Sequence, residues 1–158
     1  MPQTEMTCHS PATEQAPDGA TRIALIGSPN GGKTSIFNQL TGLHAKTGNY
    51  PGVTVSRSEG VARIHDHTFA IEDLPGTYSL SPISPDEQVV VDVLDGRMDQ
   101  VSAPDALVVV ADATALRRSL LLLAEVLPRH LPTAVVVTMT DELRRRQGSL
   151  DVTALSQA

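Results

Sequence analysis

Cysteine, tryptophan and positive charge are what this chain is short of. It carries one cysteine, Cys8, and no tryptophan, and aromatic residues occupy 3% of its 158 positions. One cysteine excludes an internal disulfide framework and any multi-cysteine zinc site, and it suits a reducing, cytosolic setting. With so few rings, aliphatic side chains must fill the interior. Twelve Lys and Arg stand against eighteen Asp and Glu, a formal charge of -6, which argues against a broad basic face for DNA or RNA. No apolar run approaches the ~20 residues of a membrane-crossing helix; the longest, Ala106 to Ala111 and Leu120 to Ala124, are far shorter. Residues 1–21 lack the apolar stretch of a secretory signal. By itself the chain is not expected to cross a bilayer.

What is present is enough for one domain with a real core, 41% hydrophobic and 19% charged. Residues 1–21, rich in Pro, Thr, Gln and Ala without a period, read as a loose leader. The adjacent Cys8 and His9 there make a poor metal pair. Arg22 to Ile26 (RIALI) is a buried-strand run that ends in glycine, and Lys33 to Thr41 places Ile36, Phe37 and Leu40 at helical spacing. Val53 to Ile64 and His67 to Glu72 read as two strands around a His65-Asp66 turn, whose histidines are expected to be solvated turn residues. A helix is expected from Pro85, with Asp86 and Glu87 in its first turn. Ala106 to Ala111 and Thr133 to Val137 are continuous apolar strands, separated by a helix from Leu116 to Leu127 that Pro128 stops. Strands alternating with helices in this way predict a three-layer α/β domain over residues 22–158 with a mainly parallel sheet, which the phosphate-loop motif at residues 27–34 makes one of phosphate-loop NTPase type. Residues 149–158 read as the start of a further helix. A doubly wound domain would normally add a final strand and helix, so the expectation is a fold that lacks them.

Gly27-Ser28-Pro29-Asn30-Gly31-Gly32-Lys33-Thr34 satisfies the G-x-x-x-x-G-K-[ST] phosphate loop, with a strand before it and a helix after it. The glycines let backbone N–H groups turn toward phosphate oxygens, and the helix adds its positive end. Lys33 is expected to reach the β and γ phosphates, and the Thr34 hydroxyl to sit on Mg²⁺. Asp73-Leu74-Pro75-Gly76 follows a strand, where Asp73 can hold Mg²⁺ through water and the Gly76 N–H can sense the γ-phosphate. Thr54 can add a hydroxyl to Mg²⁺, or be an ordinary strand-entry threonine. In Val137 to Asp141 (VTMTD), Asp141 can accept from the N1–H and 2-amino group of guanine, which adenine lacks; the alternative is a solvated Asp at a helix start.

Three longer segments narrow the reading: Lys46 to Val55 (KTGNYPGVTV), Asp73 to Leu80 (DLPGTYSL) and Asp112 to Leu120 (DATALRRSL). On these, residues 22–158 resemble the amino-terminal GTPase domain of the ferrous iron transport protein B family. The resemblance implies a cytoplasmic domain that hydrolyses GTP to GDP and phosphate. It also implies a helical spacer and a polytopic membrane domain that moves Fe²⁺ at the bacterial inner membrane, an arrangement compatible with a homo-oligomer. Residues 48–55 would be the first switch, and Asp73 to Tyr78 would open the second. Asn30 matches a family Asn associated with K⁺, or serves loop geometry alone. The resulting nucleotide-binding set is Gly27, Asn30, Gly31, Gly32, Lys33, Thr34, Ser35, Thr138 and Asp141. Thr34, Thr54 and Asp73 would hold Mg²⁺. Lys33, Thr54, Asp73 and Gly76 would carry catalysis, with Asn49 as a carboxamide near the attacking water.

Four departures bear on function. Ser28 and Gly31 replace the family's usual residues, and Gly31 adds loop entropy. Thr77 stands where many small GTPases carry a water-orienting Gln, so intrinsic turnover is expected to be slow, with the water held by switch backbone or by a partner. Thr138 stands where the guanine motif has Asn, which is expected to remove both a contact to base N7 and a brace to the phosphate loop. Other readings are a GTP/GDP-binding switch with negligible hydrolysis, a remnant with little nucleotide turnover, or a ribosome-assembly GTPase. The acidic charge and the extended segments argue against the last.

Overall fold

The computed structural model describes residues 16–17 and 19–157. Most of the expected leader, with Cys8 and His9, lies outside the described residues; Thr21, assigned to it, is the first residue of a strand. The chain forms a six-stranded sheet from β1 (Thr21–Gly27), β2 (Ala45–Asn49), β3 (Ser56–Ile64), β4 (His67–Asp73), β5 (Ala106–Asp112) and β6 (Thr133–Thr138). Five helices accompany it: α1 (Lys33–Thr41), α2 (Pro85–Leu94), α3 (Leu116–Val126), α4 (Thr140–Arg145) and α5 (Val152–Gln157). The strand order is β2-β3-β4-β1-β5-β6. Strands β4, β1, β5 and β6 run parallel, and β2 and β3 form an antiparallel flap beyond β4.

β1 lies at the centre because both its faces are apolar. Ala24 and Ile26 point into a core shared with Val89, Val90 and Val93 of α2, Val109 of β5, and Leu122 and Val126 of α3. Leu25 points the other way, into a cluster with Phe37 of α1, Ala62 and Ile71. This period-2 division of one strand between two cores is the α/β/α layering that the alternating elements predict.

Local signals set the helix ends. The positive-φ Gly42 closes α1 by donating its N–H to the Asn38 carbonyl. Ser84 accepts from the Glu87 N–H ahead of Pro85 at the first position of α2. α3 ends one residue earlier than expected, because Leu127-Pro128-Arg129 tightens into a 3-10 turn.

Two strand expectations need correction. The second strand begins at Ser56 rather than Val53, because residues 50–55 close on themselves: the Tyr50 N–H donates to the Val55 carbonyl (2.9 Å) and the Val53 N–H to the Tyr50 carbonyl (3.3 Å). β2 is a strand with no sequence signal. Its residues, AKTGN, are almost entirely exposed and show no apolar alternation, so only its pairing with β3 makes it a strand. The His65-Asp66 turn is observed, with Ile64 opposite His67 and His65 at φ 54°.

Candidate functional site

The site forms where β1, β4 and β5 end. A Cβ on Gly27 would lie 2.5 Å from the Val110 carbonyl oxygen, so the last residue of β1 must be glycine for β5 to pass. The loop then turns through positive φ at Asn30 (60°) and Gly32 (90°), with the Gly31 N–H donating to the Ser28 carbonyl at 3.2 Å. Gly32 begins α1 without any side-chain cap, and no acidic residue occupies the first turn. The helix therefore opens with N–H groups that none of its own side chains cap and with no acid of its own in the first turn, a condition that favours binding an anion. Asn30 and Ser35 are both exposed.

Lys33 is 8% exposed. Burial pushes its ammonium below the usual lysine range, and the charge of Asp73 partly offsets this. Asp73 ends β4 opposite Leu25 in the parallel register. Its Oδ2 accepts from the Thr34 hydroxyl at 2.9 Å, while its Oδ1 is buried with no partner. Burial raises the Asp73 carboxyl above its ordinary value, against the lowering effects of Thr34 and Lys33. A buried, unpartnered carboxylate oxygen beside a threonine hydroxyl is a hard oxygen donor set, and these two residues fit Mg²⁺.

Beyond Asp73 the chain stays zipped to β1, with the Leu74 N–H on the Leu25 carbonyl (3.2 Å) and the Thr77 N–H on the Gly27 carbonyl (3.0 Å). Gly76 lies against Pro29, where a Cβ would come within 2.8 Å of the proline ring. Thr77 is fully buried, and its hydroxyl donates to the Ser79 carbonyl at 2.6 Å. The side chain next to Gly76 is thus engaged within its own loop. The loop is held further by Glu87, which accepts from the Ile83 N–H at 2.9 Å, and by Glu125 of α3, which accepts from the Leu80 N–H.

A hollow of about 400 Å³ brings together Lys33, Thr34, Thr54, Asp73, Gly76 and Asp86. The sequence reading missed Asp86 as a site residue. It was visible only as a first-turn helix acid, and nothing local shows that α2 starts beside the phosphate loop. Asn49 does not join this group. It is exposed on β2 and lines a separate hollow with Lys46, Arg57 and Gln100, because the β2–β3 pairing holds it on the flap.

Tyr50 is the residue that ties the Thr54 loop to the sheet, and the sequence reading gave it no role. It is 1% exposed, and its hydroxyl donates to Glu72 Oε1 at 2.9 Å. Arg57 reaches the same oxygen (2.9 Å) and stands over the tyrosine ring, 5.9 Å from its centroid. Arg22 pairs with Glu72 Oε2 (3.3 Å), and Glu59 bridges both arginines. Burial first, then the Glu72 charge, pushes the Tyr50 hydroxyl far above its ordinary range, so it remains a donor.

At the far end of the loop, the Thr138 hydroxyl donates to the Gly31 carbonyl at 2.7 Å. The expectation that losing Asn removes the brace is therefore corrected, since a hydroxyl at the end of β6 reaches the same backbone. Asp141 is exposed, as in the solvated-Asp alternative. Its side chain is 72% exposed at the start of α4, 3.7 Å from Arg145.

The family model for ferrous iron transport protein B matches residues 21–158. The chain is 43% identical over 144 residues to an Fe(2+) transport protein A/Fe(2+) transporter FeoB fusion protein of Porphyromonas gingivalis, covering 90% of this chain and 17% of that protein. It is 44% identical over 135 residues to the Fe(2+) transporter FeoB of Leptospira interrogans, covering 85% of this chain and 19% of the relative. The chain thus spans less than a fifth of these relatives. Among solved structures, the G domain of the T. maritima FeoB iron transporter superposes with a TM-score of 0.76 at 39% identity, covering 87% of this chain and 81% of that one. The cytosolic domain of the same transporter in a GDP form superposes with a TM-score of 0.72 at 39% identity, covering 80% of this chain and 48% of that one.

Two outcomes follow from the buried charges. Because the raised Asp73 carboxyl favours its protonated form in the fold, the nucleotide-free chain loses stability as pH rises from the ordinary carboxylate value through the raised one. Asp73→Asn, which cannot ionise, is then expected to remove this loss, so that its thermal midpoint varies less across that pH window than that of the unsubstituted chain. Glu72→Ala leaves Tyr50 without its acceptor and two arginines with Glu59 alone, and is expected to cost about 3 kcal/mol in urea denaturation. Tyr50→Phe should cost only about 1–2 kcal/mol.

Proposed function

The chain belongs to the ferrous iron transport protein B family, and on that premise we propose that it binds guanine nucleotide and hydrolyses GTP to GDP and phosphate. The observation that carries the reading is the joint placement of Lys33, Thr34 and Asp73 at the uncapped start of α1, with Asp73 Oδ1 left unpartnered. Lys33 and the N–H groups of residues 32–34 would draw charge from the β and γ phosphates as the terminal phosphoryl leaves, so their contribution is electrostatic. Thr34 and Asp73 would hold Mg²⁺, which offsets phosphate charge when bound. Thr54 lines the same hollow and would join them when its loop closes over the γ-phosphate. Gly76, fixed against Pro29, would present its N–H to that phosphate. Asn30, exposed at the loop crest, is the residue proposed to meet K⁺.

In the longer protein this domain would sit on the cytoplasmic side of the bacterial inner membrane. It would regulate ferrous iron uptake by a polytopic membrane domain, joined to it through a helical spacer. Among the described residues no helix is long and apolar enough to cross a membrane. A second reading, a binding switch with negligible turnover, is favoured by one observation: the buried hydroxyl of Thr77 is engaged with Ser79 and is not free to orient water.

Displacement of a fluorescent GTP analogue from the purified chain, with Mg²⁺ present, tests the first step. GTP and GDP should displace it, and ATP should not. Asp141→Ala should weaken GDP binding about 10–100-fold, the loss of a charged hydrogen-bonding pair. No displacement by GTP from folded protein would overturn the proposal. Phosphate release under single-turnover conditions then separates the readings, slow but measurable release supporting the GTPase and none supporting the switch.

A further inference from the structure

We propose that Thr138 is a positioning residue for the phosphate loop, and that this chain braces its loop at the expense of reading the N7 edge of the base; the base half of this rests on the guanine reading above. A threonine hydroxyl has one proton to give. Here Oγ1 lies 2.7 Å from the Gly31 carbonyl oxygen and 3.3 Å from the Ala111 carbonyl oxygen. Both neighbours are acceptors only, so the proton is committed between them and none remains for a base nitrogen. An asparagine at the same position would bring two N–H protons, enough for a loop carbonyl and a base together.

The brace is built into the packing. Thr138 ends β6 opposite Asp112 of β5, yet it reaches a loop 107 positions earlier in the chain. Gly31 is buried, so its carbonyl, without that hydroxyl, would lose the partner that satisfies it. The Thr138 methyl completes the contact, since a Cβ on Gly32 would lie 3.3 Å from Cγ2. Two successive glycines give the loop more freedom to lose on ordering than any other pair, and Thr138 lies against both. Discrimination of the base then falls to Asp141, whose exposed carboxylate lies 3.7 Å from Arg145.

The test uses the intact chain with Thr138→Val, which keeps the shape and removes the hydroxyl, and Thr138→Ser, which keeps the hydroxyl. Hydrogen exchange is measured without nucleotide, and competitive binding with GDP and 7-deaza-GDP, which lacks N7. Exchange at the Gly31 and Ile36 N–H groups, which donate to the Ser28 and Gly32 carbonyls, should rise about fivefold or more in Thr138→Val and stay within about twofold in Thr138→Ser, the difference one hydrogen bond makes. The unsubstituted chain should bind GDP and 7-deaza-GDP within about twofold of each other, and Thr138→Val should weaken both by the same factor. Unchanged loop exchange in Thr138→Val, or a rise spread equally over the sheet, would overturn the brace. Binding of 7-deaza-GDP more than about fivefold weaker than GDP would overturn the unread N7. Absence of GDP binding alongside a loop-confined rise would sink the function proposed above and leave the brace standing, because the exchange is read without nucleotide.

Discussion

The carboxylate of Asp73 is the constraint around which the rest is arranged. It is held at the end of β4 by parallel pairing to β1, beside a lysine buried at the start of α1. One of its oxygens has no hydrogen-bond partner among the described residues. A fold selected for stability alone would place a neutral side chain there. The neighbouring elements instead keep the charge in place: Thr34 accounts for one oxygen, and the Leu74 and Thr77 N–H groups lock the following loop to β1. Leu74, buried, lines the hollow beside it. The local instability this creates suits a position meant to receive a cation and phosphate.

One residue before Asp73, Glu72 performs a different task with the same kind of charge. It is buried, but two arginines and a tyrosine hydroxyl satisfy it. Through Tyr50 it anchors the start of the loop that carries Thr54, while the Tyr50–Val55 backbone bond closes that loop's base. Adjacent acidic residues on one strand thus divide the work, because alternation sends their side chains to opposite faces of the sheet. Glu72 holds the flap, and Asp73 faces the ligand hollow. Movement of the Thr54 loop is thereby restricted to the short span between two fixed points.

The parts legible in the sequence are those encoded by neighbours. The phosphate loop, α1 over Lys33–Thr41, the start of α2 at Pro85 and the apolar strands β1, β5 and β6 all carry their signals within a few residues, although β6 stands half-exposed at the sheet edge. The placement of Asp73 with Lys33 and Thr34 was also legible, since strand-end motifs converge in a doubly wound sheet. What escaped depends on distant partners. β2 is a strand only because β3 offers it a ladder. Tyr50 and Glu72 need the β3–β4 hairpin to meet two arginines, and Asp86 reaches the hollow only through the packing of α2. The brace by Thr138 was read as a loss because residue type suggested what was missing. The distance to Gly31, which shows the hydroxyl serving instead, is a property of the fold.

Site-resolved carboxyl NMR of Asp73, recorded across pH in the nucleotide-free chain and again with Mg²⁺ and GDP, tests the central claim most directly. The account predicts an Asp73 carboxyl that titrates above the ordinary aspartate range when the site is free, because burial outweighs Lys33 and Thr34. With Mg²⁺ and GDP added, titration should move below that range, as a cation gives the charged form its partner. An Asp73 that titrates at the ordinary value in both states would contradict the account, since the carboxylate would then be neither buried at a cost nor relieved by what binds there.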